Sequence, residues 1–179
     1  MPILKPAAFL DRDGVINHAN IIDGISCPPR SLSEVEILPG VLNATKMIID
    51  KGYIPVVITN QPDISRGLIS EAQVNEINQH IGNLTGIRNF YVCGHDDSDS
   101  CDCRKPKPGM IKKACSELNL NIEKSFLVGD RWKDIAAGQE MNLKNYFIDY
   151  SYKEPLPKLP FIRVSSLLEA VSEELGEVT

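Results

Sequence analysis

Short apolar runs and longer amphipathic stretches alternate along this chain. Ala7-Ala8-Phe9-Leu10, the β-branched run 54–59, Phe90-Tyr91-Val92-Cys93, Ser125-Phe126-Leu127-Val128-Gly129 and Tyr146-Phe147-Ile148 are short apolar runs. Continuous runs of this length suit strands buried on both faces of a parallel sheet. Between them, apolar residues recur at helical spacing. Val41 to Asp50 follows Pro39-Gly40 and carries Val41, Leu42, Ala44, Thr45, Ile48 and Ile49 on one side. Ser70, with Gln73 three residues on, caps a second helix whose stripe is Val74, Ile77, Ile81 and Leu84. Pro108 fits the first turn of a third helix, Gly109 to Leu118. Residues 132–141 give a fourth, and Ser166-Leu167-Leu168-Glu169 opens a fifth with a capping-box pattern.

The alternation predicts a three-layer α/β fold with a doubly wound, mainly parallel sheet. Right-handed crossovers put helices on both faces and functional residues at the carboxyl ends of the strands. Two segments fit no such element. Residues 17–38 read as irregular, and 150–160, with Pro155, Pro157 and Pro160, read as an extended surface connection.

A length of 179 residues suits one domain, so a single domain over 1–179 is expected. With 19 basic and 24 acidic residues the net charge is −5, which argues against a general nucleic-acid or anionic-membrane binder. The longest apolar stretches fall far short of a membrane span. The amino terminus shows no charged leader followed by an apolar segment. A cytoplasmic monomer acting on a small molecule, with no nucleic-acid or membrane partner, is therefore the expectation.

The polar residues that follow the strands change this bland picture. The first strand delivers Asp11 and Asp13, and the second Thr59 and Asn60. Arg104-Lys105 follow the third, and Asp130, Arg131 and, one helical turn later, Asp134 follow the fourth. In a parallel sheet these positions converge on one crevice. Such an ensemble suits phosphoryl transfer with a hard cation, because Mg²⁺ prefers oxygen ligands and offsets the repulsion between a carboxylate and a phosphate. A carboxylate nucleophile splits the reaction into two easier steps. A second acid nearby serves as general acid and then as base, while Lys and Arg hold the phosphoryl oxygens.

Asp11-Arg12-Asp13-Gly14-Val15, Thr59-Asn60-Gln61, Arg104-Lys105-Pro106 and Gly129-Asp130-Arg131-x-x-Asp134 resemble the four ordered motifs of haloacid dehalogenase-like phosphatases. Cys93-x-His95 with Cys101-x-Cys103-Arg104-Lys105-Pro106-x-Pro108-Gly109-Met110 narrows the likeness to the branch of heptose 1,7-bisphosphate and histidinol-phosphate phosphatases. The resemblance implies a Rossmann-like core and Mg²⁺-dependent phosphate release through an aspartyl-phosphate. The implied substrate is D-glycero-D-manno-heptose 1,7-bisphosphate, cleaved at C7 for a surface glycan such as lipopolysaccharide, with histidinol phosphate as the alternative. A zinc-stapled module that binds anions without turnover is the alternative of another class.

The resemblance makes Asp11 nucleophile and Mg²⁺ ligand, Asp13 acid/base and ligand through its carbonyl, and Asp130 the remaining protein ligand. Thr59 and Asn60 would bind the transferring phosphoryl group, and Lys105 would neutralise it and position Asp11. Arg12, Arg104 and Arg131 are assigned to substrate. Asp134 either orients the loop or is a helix-surface acid, and His18 is a possible substrate contact.

The chain has five cysteines, an odd count that does not read as a disulfide framework. Cys93, His95, Cys101 and Cys103 offer three thiolates and one imidazole, an inventory suited to structural Zn²⁺. The resemblance places zinc on these four, making 93–103 a zinc-binding loop that presents Arg104 and Lys105. A redox pair at Cys101 and Cys103, or four unconnected surface residues, are the alternatives. Cys27 and Cys115 fall outside the cluster. Three features depart from the family pattern. The loop from Cys93 to Cys101 is short, Pro62-Asp63 stands where relatives have Ser-Gly, and 17–38 is long for a connection yet too short for a cap domain.

Overall fold

The computed structural model describes residues 4–176; Met1 to Ile3, part of the stretch read for a leader, and 177–179 lie outside the described residues. The strands are β1 (Ala7–Leu10), β2 (Asn20–Ile22), β3 (Ile25–Cys27), β4 (Ile54–Asn60), β5 (Asn89–Cys93), β6 (Phe126–Gly129), β7 (Lys144–Ile148) and β8 (Ile162–Val164). The helices are α1 (Val41–Asp50), α2 (Glu71–Thr85), α3 (Gly109–Leu118), α4 (Trp132–Glu140) and α5 (Leu167–Leu175). Six strands form one sheet in the order β5-β4-β1-β6-β7-β8, every pair parallel.

Strand alternation divides the core into two layers. Ala8, Leu10, Val57 and Val128 pack with Ala44 and Ile48 of α1, Ile77 and Ile81 of α2, and Ala170 and Val171 of α5. Ala7, Phe9, Val56 and Leu127 pack on the other side with Met110 and Ile111 of α3 and Ile135 of α4. The predicted doubly wound, three-layer arrangement is thus the observed one, with Rossmann-like topology. Strand order reverses at β1 and β6, and a crevice opens at the carboxyl ends where it does.

The helix starts follow local chemistry. Ser70 and Gln73 form a reciprocal capping box on α2. Ser166 caps α5 by accepting from Glu169 N–H, but the Glu169 carboxylate turns back to Ser165 rather than closing the expected box. Pro108 sits at the N-cap of α3, one residue before the helix.

Two segments correct the sequence reading. Residues 17–38 are not irregular throughout, because β2 and β3 pair as an antiparallel hairpin with Asp23-Gly24 at its turn and a 3-10 turn follows at Leu32–Glu34. The β3 strand of this hairpin lines the crevice through Ile25, Ser26 and Cys27. The Pro-rich connection from β7 to β8 is not a plain surface link; it folds back onto the crevice through Tyr150, Tyr152 and Glu154. Among the described residues, no helix is long and apolar enough to cross a membrane.

Candidate active site

Asp11 follows β1 directly, and its backbone N–H donates to Val128 O of β6 at 3.0 Å, which seats it at the switch point. Lys105 arrives from the loop before α3. Its ammonium donates to Asp11 Oδ1 at 2.8 Å and Ile58 O at 2.7 Å, and pairs with Asp134 Oδ1 at 2.6 Å. Both main-chain groups of Lys105 are held by the Asn60 carboxamide, each at 3.0 Å.

Asp130 ends β6. Asp134 Oδ2 accepts the backbone N–H groups of Asp130 and Arg131 at 3.1 and 2.9 Å, closing the turn into α4. A Cβ on Gly129 would lie 2.2 Å from the Asp134 Cβ, so only glycine admits this fold-back. Gly14 has φ +89°, and a Cβ there would meet Asp130 Oδ2 at 2.0 Å.

Asp11, Asp130 and Asp134 thus place one oxygen each within 4.8 Å of one another, all buried. One ammonium, paired with Asp11 and Asp134, serves a cluster of three carboxylates. Burial first, then the Asp134 charge, pushes Asp11 up to about 6 despite Lys105. Asp130 is raised well above its ordinary value by burial and by Asp11 and Asp134, with the Tyr152 hydroxyl opposing. Burial would lower Lys105, but Asp11 and Asp134 outweigh it and hold it above the usual lysine value.

This electrostatic deficit is the signature of a hard-cation site. Asp130 Oδ1 is buried with no hydrogen-bond partner among the described residues. Buried carboxylates of this kind are paired or ligate a metal, and an all-oxygen donor set suits Mg²⁺. Asp134 already spends both oxygens on Lys105 and two N–H groups, so it orients the turn, and the helix-surface reading of it is excluded.

The Asp13 carboxylate receives four N–H donors: Arg12 Nε and NH2 at 3.1 Å, Asn17 Nδ2 at 3.0 Å and Gln61 Nε2 at 2.7 Å. Arg12, assigned to substrate on the sequence, has all its observed partners in the protein interior. Its side chain is 0% exposed and stretches inward to Asn78 Oδ1 of α2 at 2.9 Å, so it braces Asp13. The Asn60 carboxamide anchors the Lys105 main chain, and both Asn60 and the Thr59 hydroxyl line the crevice.

The crevice is a cleft of about 280 Å³ that includes Asp11, Asp13, Thr59, Asn60, Lys105 and Arg131 in its lining. Its rim is cationic but clamped. Arg104 donates to Asp97 Oδ1 at 2.7 Å and His95 O at 3.2 Å, Lys133 to Asp97 at 3.2 Å, and Arg131 to Glu154. Arg30 and Arg66, held by Asp63 and Asp96, complete the rim. Sequence reasoning missed Arg30, Arg66, Lys133 and Gln61. Only Gln61, adjacent to Thr59-Asn60, carried a local signal. His18 is exposed and lines a separate hollow behind the hairpin, away from the cleft.

Cys93, His95, Cys101 and Cys103 converge beside this rim. Cys93 Sγ lies 3.6 Å from Cys101 Sγ and 3.1 Å from Cys103 Sγ, and His95 Nδ1 is 3.6 and 3.4 Å from Cys93 and Cys103. The sulfurs are not disulfide-bonded. A tetrahedron with ligands about 2.3 Å from zinc has edges of about 3.8 Å, close to these spacings. Burial raises Cys101, but the N–H groups of Arg104 and Cys103 and the neighbouring thiols draw it down to about 7. The four residues therefore fit a structural Zn²⁺.

Comparison with known proteins agrees with this geometry. The family model of the haloacid dehalogenase-like hydrolases matches residues 27–142. The chain is 34% identical to the D-glycero-beta-D-manno-heptose-1,7-bisphosphate 7-phosphatase of Pasteurella multocida, covering 79% of this chain and 80% of that protein. It is 36% identical to the protein of the same name from Vibrio cholerae, covering 75% and 76%. Among solved structures, D,D-heptose 1,7-bisphosphate phosphatase from B. bronchiseptica, complexed with magnesium and phosphate, superposes with TM-score 0.80 at 25% identity over 94% of this chain and 97% of that one. The chain belongs to the haloacid dehalogenase-like hydrolase family, as a phosphatase.

Proposed function

We propose that this phosphatase removes the C7 phosphate of D-glycero-D-manno-heptose 1,7-bisphosphate. The observation that carries the chemistry is the buried cluster in which Lys105 faces Asp11 and Asp134 while one oxygen of Asp130 has no partner among the described residues. The substrate rests on the relatives named above, and on a small, cation-rimmed cleft that fits a sugar carrying two phosphates.

Asp11, Asp130 and the Asp13 carbonyl would hold Mg²⁺. When bound, it neutralises the phosphoryl oxygens as a Lewis acid. Lys105 pins the Asp11 carboxylate and adds a second cation at the transferring group, with the Thr59 hydroxyl as donor. Asp11 attacks phosphorus, the bond from phosphorus to the C7 oxygen breaks, and Asp13 supplies the proton to that oxygen. Asp13 then takes a proton from water as water attacks the Asp11 acyl phosphate, releasing phosphate and restoring the carboxylate. Arg12 and Gln61 keep Asp13 aimed through both steps. Arg104 and Arg131 exchange their present acid partners for the distal phosphate.

Zn²⁺ on Cys93, His95, Cys101 and Cys103 would order the polar loop that ends in Arg104 and Lys105. The same reading makes 1–179 a single domain, and the protein a cytoplasmic monomer with no nucleic-acid or membrane partner, in keeping with its net charge of −5. A phosphate-release assay across sugar phosphates tests the substrate. The highest kcat/KM is expected for the heptose bisphosphate, with loss at C7 seen by phosphorus NMR. A higher value for histidinol phosphate overturns the assignment.

A further inference from the structure

The loop between β7 and β8 carries a device that the four family motifs do not contain. Tyr152 donates its hydroxyl to Asp130 Oδ2 at 2.8 Å. Two residues earlier, Tyr150 donates to Gly14 O at 2.9 Å, and two residues later Glu154 accepts from Arg131 Nε at 3.0 Å. Between them, Lys153 N–H donates to Gly24 O at the turn of the β2–β3 hairpin at 3.1 Å. Residues 150–154 therefore form a strap that touches the Asp11-to-Gly14 turn, Asp130, Arg131 and the hairpin in five residues.

The position of the Tyr152 hydroxyl is specific. Asp130 has two oxygens, one satisfied by Tyr152 and the other, Oδ1, buried without a partner among the described residues. A carboxylate fixed through one oxygen presents the other in one direction. A phenol does this without adding positive charge, so the anionic character a divalent cation needs is kept. Gly14 is part of the same arrangement, since a Cβ there would stand 3.2 Å from the Tyr152 hydroxyl as well as against Asp130.

We propose that Tyr152 is a positioning residue that aims Asp130 Oδ1 at the catalytic cation, and that its strap ties this aim to the hairpin wall of the cleft. The inference rests on the cation reading given above. Removing an outer partner of a metal ligand of this kind costs about 10- to 100-fold in metal affinity or activity. The test is Mn²⁺ binding to the intact protein without substrate, read from the electron paramagnetic resonance of free Mn²⁺.

Tyr152→Phe keeps the ring and should weaken Mn²⁺ binding about tenfold. Tyr150→Phe, which cuts the neighbouring strap bond but not the one to Asp130, should bind as the native chain does. At saturating Mg²⁺ the Tyr152→Phe kcat should recover most of its loss, a pattern that misfolding does not produce. In hydrogen exchange, cation binding should slow amides of 150–154 and of the hairpin in the native chain, and not in Tyr152→Phe. Equal Mn²⁺ affinity in Tyr152→Phe and native protein overturns the proposal, as does an equal loss in both Phe variants. A native chain that binds no Mn²⁺ at all contradicts the cation reading itself, a distinct result.

Discussion

The floor of the cleft and its loop wall are built on opposite principles. The floor places Asp11 and Asp130 at strand ends, Asp134 in the first turn of α4 and Lys105 on the loop before α3, each buried and fixed by main-chain contacts. The wall, residues 94–104, has one short polar 3-10 turn, exposed acids and little apolar surface. Its order rests on ion pairs at Asp96 and Asp97 and on the convergence of Cys93, His95, Cys101 and Cys103. Surface ion pairs of that kind contribute about 0–1 kcal/mol each. The floor is thus preorganised by the fold and short of a cation, whereas the wall is short of a core.

The comparison breaks most visibly at Asp11. Asp11→Asn should leave the fold intact and reduce phosphate release by roughly 1,000-fold or more, since it removes the nucleophile itself. Near-native turnover in that variant would refute the mechanism. Lys105→Met comes next, leaving Asp11 and Asp134 buried without their partner. Breaking a buried pair costs about 3–5 kcal/mol, so a fall of roughly 10 °C in Tm is expected together with loss of turnover. An unchanged Tm would show that the floor does not depend on this ammonium.

Zinc removal sharpens the contrast from the other side. Native protein should release about one zinc per chain to a strong chelator, with faster hydrogen exchange confined to 94–104 and the sheet unchanged. Turnover should fall and return with Zn²⁺ but not with Mg²⁺ alone. Exchange that rises evenly across the chain would mean that the wall and floor are one unit.

A smaller effect concerns pH. In the metal-free chain Asp11 titrates near 6 because burial, and then Asp134, disfavour its charge. A folded pKa above the unfolded one means the native state holds the extra proton, so stability falls as pH rises from about 4 to about 6. A bound cation opposes this loss. The rise in Tm on adding Mg²⁺ should therefore be larger at pH 7 than at pH 5, and a rise independent of pH would contradict it.

Much of this architecture was legible in the chain, for physical reasons that differ by region. Five of the six sheet strands announce themselves because continuous apolar runs have few other places to go, and β1, β4 and β6 stop where Asp11, Asn60 and Asp130 reach the crevice. The hairpin and β8 escaped notice because three-residue strands carry no measurable period. The inward bond of Arg12 was not legible because its partner, Asn78, lies 66 residues away on α2, and a turn residue gives no sign of which way it points. Tyr152 was invisible for the same reason, since its contact with Asp130 depends on how a Pro-rich connection folds back. Asp134, by contrast, sits one turn beyond Asp130, and helix geometry alone brings it back to the Asp130 N–H.

The central claim is that the buried floor turns Asp11 into the group that accepts the phosphoryl. The most direct measurement is acid quenching of the protein during turnover of the heptose bisphosphate, followed by mass spectrometry of the peptide containing Asp11. The account predicts a phosphate adduct on Asp11 that is present during turnover, decays once the substrate is consumed, and is absent in Asp11→Asn. Turnover at the native rate with the adduct on another residue, or with none trapped while Asp11→Asn remains active, would contradict it.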